Sequence, residues 1–197
     1  MRHDGRVTVP DLPLPSGGDD TPRGLVTELG VLVGEATAAG WCADLLSGAD
    51  PHDYVPVLPY LGKNCATAAF DPGWHDYWRR TWGGRGLLYV WAESAAGVVV
   101  AGLSDEHWRP AEMCLKVATL REIGEAGPGA VPLAEHELPR VRLNAVRCLG
   151  VLGDTEHVAV VVEALDDEDP AVRRAASRSV RLMARRLDLD PDVLPEI

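Results

Sequence analysis

The chain has 197 residues, with 30 acidic and 19 basic side chains and a formal net charge of −11. That length fits one domain, or two small ones, and is enough to bury a full core without cross-links. The charge balance excludes a general nucleic-acid-coating protein, whose phosphate contacts need clustered Lys and Arg, and argues against docking on an anionic membrane.

Six of the eleven aromatic residues are Trp, and Lys occurs only twice against 17 Arg. The dominance of Ala, Gly, Val and Arg fits a GC-rich bacterial coding sequence. Four cysteines, Cys42, Cys65, Cys114 and Cys148, form no CxxC pair and no zinc-site spacing. They read as buried thiols acting as small apolar residues. The start of the chain lacks a basic segment followed by an apolar run, and the longest apolar run, Ala95 to Leu103, is far too short to span a bilayer. The expectation is a cytoplasmic protein with reduced thiols, with neither a cofactor nor a metal.

Residues 1–20, MRHDGRVTVPDLPLPSGGDD, are rich in Pro and Gly and have no sustained period, which predicts a flexible arm. Order begins at Thr21-Pro22, an N-cap followed by proline at the first helical position. From there Leu25, Leu29, Leu32, Ala36, Ala39, Ala43 and Leu46 recur every three or four residues, predicting one amphipathic helix that ends at Gly48. The same start signal returns at Asp50-Pro51, Asp71-Pro72 and Asp169-Pro170. The Val-rich runs 98–100 and 158–162 resemble strands, but their flanks predict helix.

An internal repeat supplies those flanks. Arg79, Arg109, Arg142 and Arg173 each follow Trp or Val and lie 30, 33 and 31 residues apart. After the first three, an apolar pattern runs to a break near Ala92-Glu93, at Gly124–Gly127 and at Gly153-Asp154. A shorter apolar segment and then acidic residues follow. The unit is helix, tight turn, helix, acidic turn, and a period near 30 with this grammar predicts an α-solenoid.

The stretch from 138 to 183, LPRVRLNAVRCLGVLGDTEHVAVVVEALDDEDPAVRRAASRSVRLM, resembles HEAT repeats of the short bacterial, phycobilisome-lyase type. The resemblance rests on its D-x-x-VR-x-x-A entry, L-G-x-L-G-D turn and A-L-x-D exit. It is fair over 103–137 and weak over 70–103, where Trp replaces Val and Gly83-Gly84 intervene. It implies an all-α solenoid of four to five antiparallel helix pairs, the second helix of each pair lining the concave side. On this reading residues 21–197 form one HEAT-like domain. Divergent helices occupy 21–69, repeats occupy 70–103, 104–137 and 138–168, and a capping helix occupies 169–197.

Several side chains are candidates for function. Trp74, Trp78 and Trp82 lie four residues apart, on one helix face, and Trp91 and Trp108 follow at repeat-like distance. These rings either fill the inter-repeat core or offer a groove to a peptide or cation. The second-helix segments carry Glu93, Glu135, Glu156 and Glu163 with almost no basic residue, so the face they line is acidic and suits a basic partner. Arg109, Arg142 and Arg173 are placed to form a structural ladder with Asp105, Glu137 and Asp169. The triplets His52-Asp53-Tyr54 and His75-Asp76-Tyr77 follow helix-start signals, where an acidic residue favours the helix dipole. A catalytic His–Asp pair would need a special backbone there, because neighbours on a helix point about 100° apart. The last helix, with Arg173, Arg174, Arg178, Arg181, Arg185 and Arg186, makes residues 170–197 net positive at +2. It reads as a polar cap.

Two functions compete. The first is a non-catalytic scaffold or adaptor that holds a protein or peptide, basic in character, on its acidic, Trp-bearing concave face. The second is an enzyme on a HEAT-like solenoid, either a small-molecule enzyme or lyase of bacterial secondary metabolism or an alkylpurine DNA glycosylase. The basic surface a glycosylase needs for DNA is confined to the last helix. The adaptor reading is the stronger, and it is compatible with any oligomeric state.

Overall fold

The computed structural model describes residues 9–189, whose regular elements are all helical, with no strand among them. Residues 1–8 of the expected arm, and 190–197 of the expected cap, lie outside the described residues. The helices fall into two compact units that divide between Val98 and Val99.

The first unit holds α1 (Pro22–Val33), α2 (Glu35–Leu46), the single turns α3 (Leu58–Leu61) and α4 (Cys65–Ala68), and α5 (Tyr77–Gly86). Thr21 caps α1 as its sequence predicts, its hydroxyl accepting from the Gly24 amide at 3.1 Å. The single long helix expected over 22–46 is corrected to two. Gly34 sits at φ +90°, a conformation that costs a residue with a Cβ, and the chain turns there. The break exposes the stripe only beside it: Leu32 and Ala36 are exposed, while Leu25, Leu29, Ala39, Ala43 and Leu46 are buried, and α2 widens its buried face with Ala38, Trp41, Cys42 and Leu45.

Two start signals also act differently from expectation. Asp50-Pro51 opens only a four-residue 3-10 helix, capped by the Asp50 carboxylate. Asp71-Pro72 opens a turn in which the Asp71 carboxylate accepts from the Gly73 amide at 2.8 Å, and α5 begins five residues past the proline. Residues 9–20 form no regular element but are held at three points, one of them the Asp20 carboxylate, which accepts from Lys63 at 3.4 Å. The Tyr60 hydroxyl donates to the Pro13 carbonyl at 2.8 Å, and the Ser16 amide donates to Glu28 at 2.8 Å.

Helices α2 and α5 pack at close range, and Gly83 permits it. A Cβ at Gly83 would meet the Cys42 carbonyl oxygen and the Leu46 amide nitrogen, both backbone atoms that cannot rotate away. Arg85 ties α5 to α3 by donating to the Leu61 carbonyl at 2.6 Å.

The short helix α6 (Ala96–Gly102) spans the division. The second unit continues with α7 (Trp108–Arg121), α8 (Gly127–Ala130), α9 (Pro139–Leu152), α10 (Val158–Glu163) and α11 (Pro170–Arg186). The long first helices α7, α9 and α11 begin at 108, 139 and 170, a constant 31-residue step, and pack side by side. Each second segment is a short helix extended by 3-10 turns. Both Val-rich runs are helical, in α6 and α10. The core between layers is small and apolar: Ala111, Cys114, Leu115, Ala118, Val141, Ala145, Cys148, Leu149, Val172, Ala176 and Val180 are all buried. Asp169 caps α11 by accepting from the Ala171 amide at 2.7 Å.

The α2–α5 contact yields a direct expectation. Gly83→Ala overpacks the contact and lowers stability by about 1–3 kcal/mol, read as a shift of the urea midpoint. The same change at Gly97, where an added Cβ meets nothing, leaves the midpoint within experimental error.

Candidate functional site

The second-helix side of the second unit forms a groove of about 330 Å³ between two successive repeats. Ala134, Val160 and Ala164 give it apolar lining, and Glu135, Glu163 and Asp166 bring carboxylates to it. All three acids are exposed, and none is ion-paired among the described residues. The 3-10 turn after α8 positions Glu135, and α10 with its following turn positions Glu163 and Asp166.

The fourth acid of the groove, Asp167, is already committed. Its carboxylate accepts two bonds from the Arg142 guanidinium, from Nε at 2.7 Å and Nη2 at 2.9 Å. Arg142 also reaches Glu168 at 3.1 Å and donates through Nη1 to the carbonyls of His136 and Glu137. One side chain therefore clamps the acidic turns of two successive repeats. Arg173 donates to the Asp167 and Glu168 carbonyls of the turn before its own helix, at 2.6 and 3.0 Å. Hydrogen bonds from Arg142 hold the Asp167 carboxyl below its ordinary value of 3.8.

The expected arginine ladder is thus corrected in two respects. Arg142 bonds to the carbonyl of Glu137, and its carboxylate partners come from the following turn. Arg109 is not the equivalent of Arg142, because the 31-residue step aligns Arg109 with Arg140 and Arg142 with Arg173. Arg109 and Arg140 both lie over the Trp108 ring, at 4.4 and 4.9 Å from its centroid, with His107 stacked beside it. Arg140 continues to Glu112, which is buried to 2% exposure and also bound by Lys116 at 2.8 Å and Asn144 at 3.1 Å. The sequence marks Glu112 only through Lys116 four residues on, a spacing that reads as a solvated surface pair and hides its burial.

The remaining candidates lie apart from the groove. Glu156 is exposed on the turn before α10, with its carboxylate 3.8 Å from the buried His157 ring. In the first unit the Glu93 carboxylate accepts from the Trp91 indole at 2.9 Å. Trp74, Trp78 and Trp82 do gather, with centroids 5.5 and 5.9 Å from Trp74, although Trp74 stands in the turn before α5 and not on the helix. The cluster grades from core to surface: Trp82 is 5% exposed, Trp78 is half-buried and Trp74 is 42% exposed.

Neither His-Asp-Tyr triplet makes a His–Asp pair of its own. His52 Nδ1 meets Asp50 at 2.7 Å, His75 stacks on Tyr77, and Asp76 pairs with Arg80 at 3.1 Å. All four cysteines are buried free thiols. Burial pushes Cys42 and Cys65 up to about 12, Cys148 up to about 11 and Cys114 higher still, so each stays protonated and unreactive near neutrality. Among the described residues no group of three or more His, Cys, Asp or Glu is placed to hold a metal, and no helix is long and apolar enough to cross a membrane.

Stacked helix pairs at a fixed step, clamped turn to turn, define a helical-repeat protein of the α-solenoid class. Residues 127–196 match the family model of HEAT repeats. This match supports a HEAT-repeat assignment for the stretch, and HEAT repeats commonly serve as protein-interaction scaffolds. No curated protein matches the chain.

The clamp makes stability depend on pH in a defined direction. A carboxyl held below its ordinary value stabilises fully above that value and loses its contribution as pH falls through the folded value. Asp167→Asn therefore costs about 3 kcal/mol near neutrality, where Arg142 loses a nearly buried partner. Denaturation curves of variant and parent should converge as pH falls below 3.8.

Proposed function

We propose that the second unit is a non-catalytic HEAT-repeat scaffold that holds a basic segment of a protein partner in the groove of its second-helix side. The observation that carries this reading is the set of unpaired carboxylates, Glu135, Glu163 and Asp166, beside apolar lining at Ala134, Val160 and Ala164. A Lys or Arg stem covers the apolar lining while its head meets the acids. The groove is already rigid, because Arg142 fixes the neighbouring turns, so a ligand does not have to order them. The short bacterial form of the repeat and a cytoplasmic setting belong to the same reading. The repeat motif over 138–183 supports the first, and the four free thiols support the second.

A fluorescein-labelled peptide carrying paired arginines between small apolar residues tests it by anisotropy. Binding to the full chain should weaken by about tenfold or more in Glu135→Lys/Glu163→Lys at about 0.1 M salt. Glu156→Lys, which adds the same sort of charge outside the groove, should bind like the parent. Equal loss in both variants would mean bulk charge attraction and would overturn the groove. So would unchanged affinity in the double variant.

A further inference from the structure

The first-helix side of the second unit carries a separate ladder. Lys116, Arg147 and Arg178 occupy the same position of α7, α9 and α11, each 31 residues after the last. Four residues on, Leu120, Val151 and Leu182 form a parallel apolar row by the same step. Leu120 is 56% and Leu182 is 42% exposed, on either side of the half-buried Val151 in the same row. Two shallow depressions run along this face, of about 390 and 270 Å³. They share Thr119 and Arg147, so they form one continuous path from Lys116 and Leu120 to Arg178 and Leu182.

The charges on this path are available. Arg147 is exposed and has no ion-pair partner among the described residues, and Arg178 makes only a backbone contact, to the Arg174 carbonyl at 3.1 Å. Lys116 pairs with Glu112, but Glu112 is shared with Arg140, which leaves that end net positive. Neighbouring packed helices lie about 8–10 Å apart, so the three cations repeat at that interval. Two turns of an α-helix advance about 10.5 Å, which matches the interval.

We propose that this face is a docking surface for an acidic amphipathic helix of a partner protein. Such a helix crosses α7, α9 and α11 with a carboxylate every two turns set against the cation ladder. Its leucine-like side chains cover Leu120, Val151 and Leu182. Charge complementarity selects the acid, and the apolar row selects a protein segment over a nucleic acid, which has phosphates for the ladder but nothing for the leucines. This surface is independent of the acidic groove, because the two share no residue.

The probe is a labelled synthetic helix of about 18 residues with Glu at two-turn spacing flanked by Leu. It is titrated into the full chain alongside poly-glutamate and a single-stranded oligonucleotide of equal charge. The helix should bind at least about tenfold tighter than either control. Arg147→Glu should weaken binding by about tenfold or more, and Leu120→Ser/Leu182→Ser should weaken it without changing the poly-glutamate control. Arg178→Glu serves as a second charge reversal should Arg147→Glu fail to fold. Glu135→Lys/Glu163→Lys should leave this binding unchanged, so failure here and failure of the groove reading are read separately. The proposal is overturned by no binding of the helix, by affinity that survives both arginine reversals, or by an oligonucleotide that binds as tightly as the helix.

Discussion

A pair of short helices cannot cover its own apolar faces, and the second unit meets this constraint with a fixed 31-residue step. The step brings equivalent positions of α7, α9 and α11 side by side, so that small buried residues meet small buried residues down the stack. The same step repeats every surface feature as a row. The clamp of Arg142 on Asp167 and Glu168 keeps successive turns in register, and both surfaces described above depend on that register.

The rows have opposite character on the two sides of the unit. On the second-helix side, turns and short helices present Glu135, Glu163 and Asp166. On the first-helix side, Lys116, Arg147 and Arg178 stand beside exposed leucines. The net charge of −11 conceals this division, since it sums two faces that would attract different partners. Net charge speaks to solubility and long-range attraction, whereas recognition follows the local arrangement.

The repeat was legible because its signals are local. Pro at the start of α9 and α11, Gly at the turns and the caps at Thr21 and Asp169 each state an element boundary by themselves. The burial of Cys114 and Cys148 was legible from the lack of any paired or zinc-type cysteine spacing. The features that escaped are those that need a third dimension. Gly34 looks like any glycine in an amphipathic stripe, yet it breaks the helix and leaves Leu32 and Ala36 beside it exposed. Gly83 looks like an interruption of the repeat, yet it is where two backbones nearly touch. Matching Trp-Arg to Val-Arg gave Arg109 the wrong counterpart, because a motif two residues out of step is invisible without helix starts to compare. In the site, Glu135 and Glu163 were legible from their second-helix position. The contribution of Asp166, and the prior engagement of Asp167, required the geometry of the turn.

The most direct test of the central claim is a residue-resolved map of where a basic peptide touches the chain. Amide chemical-shift changes, recorded on the full chain during titration with an arginine-bearing peptide, supply that map. The largest changes are expected at residues 131–135 and 160–167, with α7, α9 and the first unit little affected. Shifts concentrated on the first-helix side or around Trp74 and Trp78, with residues 131–135 and 160–167 unmoved, would contradict that claim.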